Sequence, residues 1–182
     1  MARIPLDHKR TRLVRLGEAY SRRKYGAVLE PGLVAMHNPR VLVTMMLNES
    51  GAGRWKALPE TLKALAVMAS SAEIGCSWCM DFGYWESHHA GVPTAKLRDI
   101  PDWRNSEVYT ATERRVLEYS GAMTRTPPEV TDEMVEALRR ELSDKQLVEL
   151  THLVALENQR SRVNAAMGLT GQGFKATCEV AG

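Results

Sequence analysis

Two cysteines with C-x-x-C spacing, Cys76 and Cys79, lie in "AEIGCSWCMDFGYWESHH" (Ala72–His89), and two histidines, His88 and His89, follow them. If a helix opens near Cys76, its unpaired N–H groups and its dipole favour a thiolate there. The spacing then sets both sulfurs on one face of the first turn, close enough to bond. A thiolate with a thiol neighbour can attack a peroxide O–O bond. It becomes a sulfenic acid, which the neighbour converts to a disulfide, and an external dithiol must then reduce the pair. Trp78, Phe82, Tyr84 and Trp85 are available to line an apolar pocket. Two other readings are open. The cysteines could be inert buried sulfur, or they could join His88 and His89 around structural zinc. Adjacent helical residues point about 100° apart, which fits the usual finger spacing poorly. The expectation is therefore no metal and no cofactor beyond a redox-active disulfide.

The elements that must position this pair read as helices. "LPETLKALAVMASSAE" (Leu58–Glu73) carries Pro59 at a first helical turn and an apolar face of Leu58, Leu62, Leu65 and Met68. A second helix is expected to open near Cys76 and to end near "AGVP", where Gly91 and Pro93 stop it. Thr110 and Glu113 form a capping-box signature, Thr131 caps a helix after Pro127 and Pro128, and Ser143 caps a long helix. In that last helix positions 147, 150, 153, 154 and 156 make a broad apolar face. "NPRVLVTMMLNES" (Asn38–Ser50) has helical spacing despite its β-branched start, "DIPDWRNSEVY" (Asp99–Tyr109) reads as a loop, and the tail over 171–182 as frayed. An all-α orthogonal bundle follows, as one domain over 1–182.

At an offset of 85 residues the segment around the cysteines echoes the last helix: Leu65 lies over Leu150, Cys76 over Ser161, Cys79 over Asn164 and Gly83 over Gly168. Two related helix-turn-helix units would produce this, and so would shared helical periodicity.

The net charge is +2 over 182 residues, with 25% charged and 44% apolar residues. That balance gives no argument for nucleic acid. The basic stretch "HKRTRLVRLGEAYSRRKYG" (8–26) reads as a solvated first helix with Leu13, Leu16 and Tyr20 as its apolar stripe, because it lacks the wide apolar face of a membrane-surface helix. There is no signal-peptide pattern and no run long enough to span a bilayer. Three cysteines, one of them the remote Cys178, do not make a secreted disulfide framework, so a cytoplasmic protein is expected. His8, His37 and His152 are isolated and receive no role.

A helix followed by C-x-x-C at the start of a second helix resembles the AhpD-like superfamily of alkylhydroperoxidases and carboxymuconolactone decarboxylases. "LSDKQLVELTHLVALENQRSRVNAAMGL" resembles the C-terminal helical segment of the longer members. The resemblance, over roughly 40 to 170, implies an all-α homo-oligomer (dimer, trimer or hexamer) that reduces a small hydroperoxide through the dithiol, without metal or haem, at the expense of a dithiol reductant. It makes Cys79 the attacking residue and Cys76 the resolving one. The family's peroxidases also carry a glutamate twelve residues before the first cysteine and a histidine four residues after the second. Here those positions are Ala64 and Gly83. Candidates for a substitute proton relay are Glu73, Asp81, Glu86 and Glu149, while "ENQRSR" (Glu157–Arg162) is a charged stripe that faces either a partner subunit or the site. The departures keep two alternatives beside a hydroperoxidase or disulfide oxidoreductase: a non-catalytic or redox-sensing oligomer, and a carboxymuconolactone-type decarboxylase.

Overall fold

A computed structural model describes residues 2–9 and 11–179, with the side chain of Leu13 outside the described set. The described residues contain no strand. They divide into two compact units, one of residues up to Arg54 with Ala166–Leu169, the other of Trp55–Ala165 with the chain from Thr170 onward.

In the first unit α1 (Arg12–Tyr25) starts at Thr11, whose hydroxyl accepts the Val14 N–H, and stops at Gly26, where φ is 76°. Leu16 and Tyr20, expected as a packing stripe, are instead 67% and 62% exposed. After α2 (Glu30–Ala35), α3 (Pro39–Ala52) begins at Asn38, which accepts from the N–H of Arg40 and Val41. No residue of α3 is buried. The rings of His8 and His37 meet at 4.5 Å, tilted by 51°, and bond the carbonyls of Leu33 and Pro5, which ties the N-terminal segment to α2.

The second unit is built on α4 (Glu60–Ile74), α7 (Ala111–Thr124) and α9 (Asp144–Ala166). These run side by side in the same direction. Near the start of α4, Lys63 and the Leu58 N–H meet Glu149; further along, Ser71 meets Glu157. Likewise Tyr119 meets Thr151 and Thr124 meets Asn158. Leu58, Leu62, Ala66, Val116, Tyr119, Leu150 and Val154 fill the core of this layer. The expected caps form at Thr110 with Glu113, at Thr131, and at Ser143 with Gln146. Thr126–Pro127 is cis.

α5 (Ser77–His89) leaves α4 at Gly75, whose φ of 76° lets the chain reverse while Gly75 and Cys76 both donate to the Ser71 carbonyl. The matching stretch of the echo has no such break, because α9 runs unbroken through Arg160. After α6 (Thr94–Arg98) and a 3₁₀ turn (Ile100–Asp102), α8 (Asp132–Arg139) links α7 to α9. The expected frayed tail is ordered over its described part: α10 (Phe174–Glu179) packs on α5. Residues 180–182 of that tail, and Arg10 and the Leu13 side chain of the basic stretch, lie outside the described residues. Among the described residues no helix is long and apolar enough to cross a membrane.

Candidate functional site

Cys76 is the N-cap of α5: its backbone is extended, and its sulfur accepts the Cys79 N–H at 3.2 Å. Cys79 sits one turn in, and the two are joined as a disulfide with Cα atoms 5.3 Å apart. Both sulfurs are covered, the residues being 1% and 5% exposed. The cover includes α9, whose Asn164 donates its side-chain amide to the Cys79 sulfur at 3.3 Å.

Asn164 ends a buried stripe that changes character along α9. Leu150, Leu153 and Val154 come first, then Glu157, Ser161 and Asn164, spaced so that all lie on one face. Glu157 Oε1 accepts from the hydroxyls of Ser161 (2.7 Å) and Ser71 (2.9 Å), and its Oε2 lies 3.3 Å from Arg160. Burial pushes the Glu157 carboxyl above its ordinary value, outweighing Arg160 and the two serines. The sequence marked Glu157 only as part of a charged stripe facing a partner or the site, and Ser161 and Asn164 only as the echo partners of Cys76 and Cys79; it gave none of the three a role beside the cysteines. The signal available was the absence of a large apolar residue at 157, 161 and 164, where the stripe should continue.

The four relay candidates sit elsewhere. Glu73 pairs with Arg125 at 3.0 Å at the surface, on an open cavity of about 400 Å³ that Thr126, Glu129 and Arg162 also line. Asp81 accepts four backbone N–H groups, from Gln172, Gly173, Phe174 and Lys175, at 2.7–3.0 Å, and so anchors α10. Glu86 is exposed. Glu149 accepts the N–H of Ala57 and Leu58 and pairs with Lys63 at 3.3 Å. Burial acts to raise its carboxyl, but those N–H groups and the ammonium hold it below the ordinary value.

Of the expected pocket aromatics, Trp78, Phe82 and Trp85 stack along α5 with centroids 5.0 and 5.8 Å apart, and Phe174 of α10 closes on them. Trp78 also donates to Gln172 at 2.8 Å. Tyr84 turns into a separate core with Leu65, Met68 and Cys178. There its hydroxyl has no hydrogen-bond partner among the described residues. At the far end of α5, His88 and His89 converge on Cys178, with one donor atom from each within 4.8 Å of the others. The sequence separates these groups, and the ordered α10 unites them. This is where a soft cation would find three ligands, although burial pushes the Cys178 thiol up, toward its neutral form.

Comparison with known proteins places the chain in a family. The carboxymuconolactone decarboxylase family pattern matches residues 41–120. The uncharacterized protein YnjA of Escherichia coli K12 is 30% identical over 154 residues, covering 84% of this chain and 85% of its own. A protein of unknown function from Agrobacterium tumefaciens, proposed to be the antioxidant defence protein AhpD, superposes with a TM-score of 0.71 at 26% identity over 76% of this chain and 94% of its own. The debrominase Bmp8, as a cysteine-to-alanine variant with 2,3,4-tribromopyrrole, superposes with a TM-score of 0.82 at 20% identity over 97% of each chain. This chain belongs to the carboxymuconolactone decarboxylase family, as an AhpD-like member.

Proposed function

We propose that the chain is a thiol–disulfide oxidoreductase that reduces small hydroperoxides through Cys76 and Cys79. The observation that carries this reading is the buried pair at the opening of α5, closed as a disulfide, with the Asn164 amide on the Cys79 sulfur. In the reduced protein that amide and the first-turn N–H groups favour thiolate. The Cys79 thiolate attacks the terminal oxygen of ROOH. An S–O bond forms, the O–O bond breaks, and the alkoxide leaves as ROH with the proton that the thiol gave up. Cys76 then attacks the sulfenic sulfur, forming S–S and releasing water. An external dithiol returns two electrons and two protons by exchange.

The working unit is an assembly of identical chains. α3 exposes Val41, Val43, Met46 and Leu47 by 53–67%. A helix of this length with nothing buried is marginal alone, and a second copy is the cover of matching chemistry. Leu47→Asp should dissociate it, read as a fall in mass by light scattering. An unchanged mass would place the interface elsewhere.

The activity test is intact-mass analysis of the reduced chain after a short pulse of tert-butyl hydroperoxide. Loss of two hydrogens, mapped to a Cys76–Cys79 link and absent in Cys79→Ser, is expected. Thiols that stay reduced would sink the reading. A second chemistry suits the same thiolate, because the aromatic row of Trp78, Phe82 and Trp85 begins beside Cys79. Bmp8 is a debrominase, so a brominated pyrrole is the probe for reductive dehalogenation.

A further inference from the structure

The polar end of the α9 stripe holds one group that the dithiol cycle leaves unused. Glu157 is 2% exposed, and Ser71 and Ser161, which bond its Oε1, are fully covered. A carboxylate is costly to bury, and Arg160 at 3.3 Å from the other oxygen is itself partly exposed. Packing does not require this arrangement, since a leucine would continue the stripe of Leu150 and Val154. Perturbed, buried titratable groups next to reactive side chains mark functional sites.

Position supports a link to the cysteines. Ser161 stands one turn before Asn164 on the same buried face, and Asn164 touches the Cys79 sulfur. Ser71 bonds Glu157 through its hydroxyl and receives the Cys76 N–H at its carbonyl, 3.0 Å away. Ser71 therefore joins the carboxylate to the Cys76 end of the turn, and Ser161 brings it to within one helical turn of Asn164, which holds the Cys79 end. Glu157 lies seven residues from Asn164, about 10 Å along the helix, which is too far for direct contact with the sulfur that Asn164 touches. Of the charged groups around it, Lys63 on α4 pairs with Glu149, Glu73 on α4 pairs with Arg125, the residue that ends α7 and also pairs with Glu129, and Arg160 on α9 itself faces Glu157.

We infer that Glu157 is the proton acceptor for the Cys79 thiol, acting through the Ser161 hydroxyl, and that it returns the same proton to the departing alkoxide. This rests on the hydroperoxidase reading above. In balance, the thiol proton passes to Ser161 as the Ser161 proton passes to Glu157. Sulfur attacks the peroxide oxygen, the O–O bond breaks, and the reverse passage delivers the proton to RO⁻. Glu157 is a positioning residue in this scheme, and the raised carboxyl suits the task because it brings proton affinity closer to that of a thiol.

The test is the rate of hydroperoxide-driven Cys76–Cys79 closure against pH in wild type, Glu157→Gln and Ser161→Ala. Both variants should slow closure by about 10²-fold near neutrality. They should recover toward the wild-type rate in alkali, where the thiol ionises unaided. A purely structural loss would not recover with pH. Folded variants with the wild-type rate and profile would overturn the inference. If Glu157→Gln does not fold, Ser161→Ala decides alone, since it leaves the carboxylate on Ser71. If the wild type itself is not oxidised, the hydroperoxidase reading has failed. Iodoacetamide alkylation of the reduced pair against pH, which needs no peroxide, then decides the relay. A profile moved upward in the variants supports it, and superimposed profiles overturn it.

Discussion

A β-carbon on Gly83 would lie 2.8 Å from the sulfur of Met68, a side chain with no exposed surface. This is the position where the family's peroxidases carry a relay histidine. In this chain it is the contact that lets α5 fold back on α4. Gly83→His should therefore not restore a relay. It should overpack the Met68 core and lower stability by about 1–3 kcal/mol, against a gain of under about 1 kcal/mol from replacing a helical glycine. Thermal unfolding and peroxide turnover check this, and a stable, faster variant would contradict it. Asn164 provides the complementary case, because its amide is a donor to sulfur and not a base. Asn164→Ala should slow alkylation of Cys79 by about tenfold, the scale of one hydrogen bond to a charged group, with little change at Cys178. Equal slowing at both would point to a general disturbance. What was legible in the sequence was local, the C-x-x-C spacing and a helix opening near Cys76, or came through the family resemblance, the missing relay at Ala64 and Gly83. Asn164 and Glu157 matter because α9 lies along α4, which the interrupted apolar stripe at 157, 161 and 164 hints at but does not specify.

The same division holds among the elements. Helix starts at Thr110, Thr131 and Ser143 were readable because a cap and its N3 partner are three residues apart. The order of the tail was not, since α10 is held by Asp81, ninety residues earlier, which takes the four N–H groups of 172–175. Gly171 lets that turn approach, its would-be β-carbon being 3.2 Å from the Asp81 Cβ. Asp81→Ala should free α10 and cost about 2 kcal/mol, the upper range for a lost helix cap. Cys178, buried with α10 in place, should then react faster with a bulky thiol reagent, with hydrogen exchange rising over 172–179. An unchanged Cys178 would mean that Phe174 and the aromatic row hold α10 without Asp81.

For the molecule as a whole, two carboxylates on α9, the half-buried Glu149 and the buried Glu157, should pull stability in opposite directions with pH. Glu149 is held below its ordinary value, so it stabilises the fold above the unfolded value of about 4.3, and this is lost as pH falls through the folded value. Glu157 is raised by burial, so the native state keeps its proton after the unfolded chain has lost it. Stability then falls as pH rises from about 4.3 through the folded value, and the penalty persists above it. Glu149→Gln should melt below wild type near neutrality, and the gap should close in acid. Glu157→Gln should melt above wild type near neutrality and converge with it below about pH 4. That sign is what a group kept for chemistry at the expense of stability would give. Melting curves of the three proteins across this range decide it. If Glu157→Gln melts lower at every pH by the same margin, the bonds from Ser71 and Ser161 outweigh the cost of burial, and Glu157 is part of the scaffold.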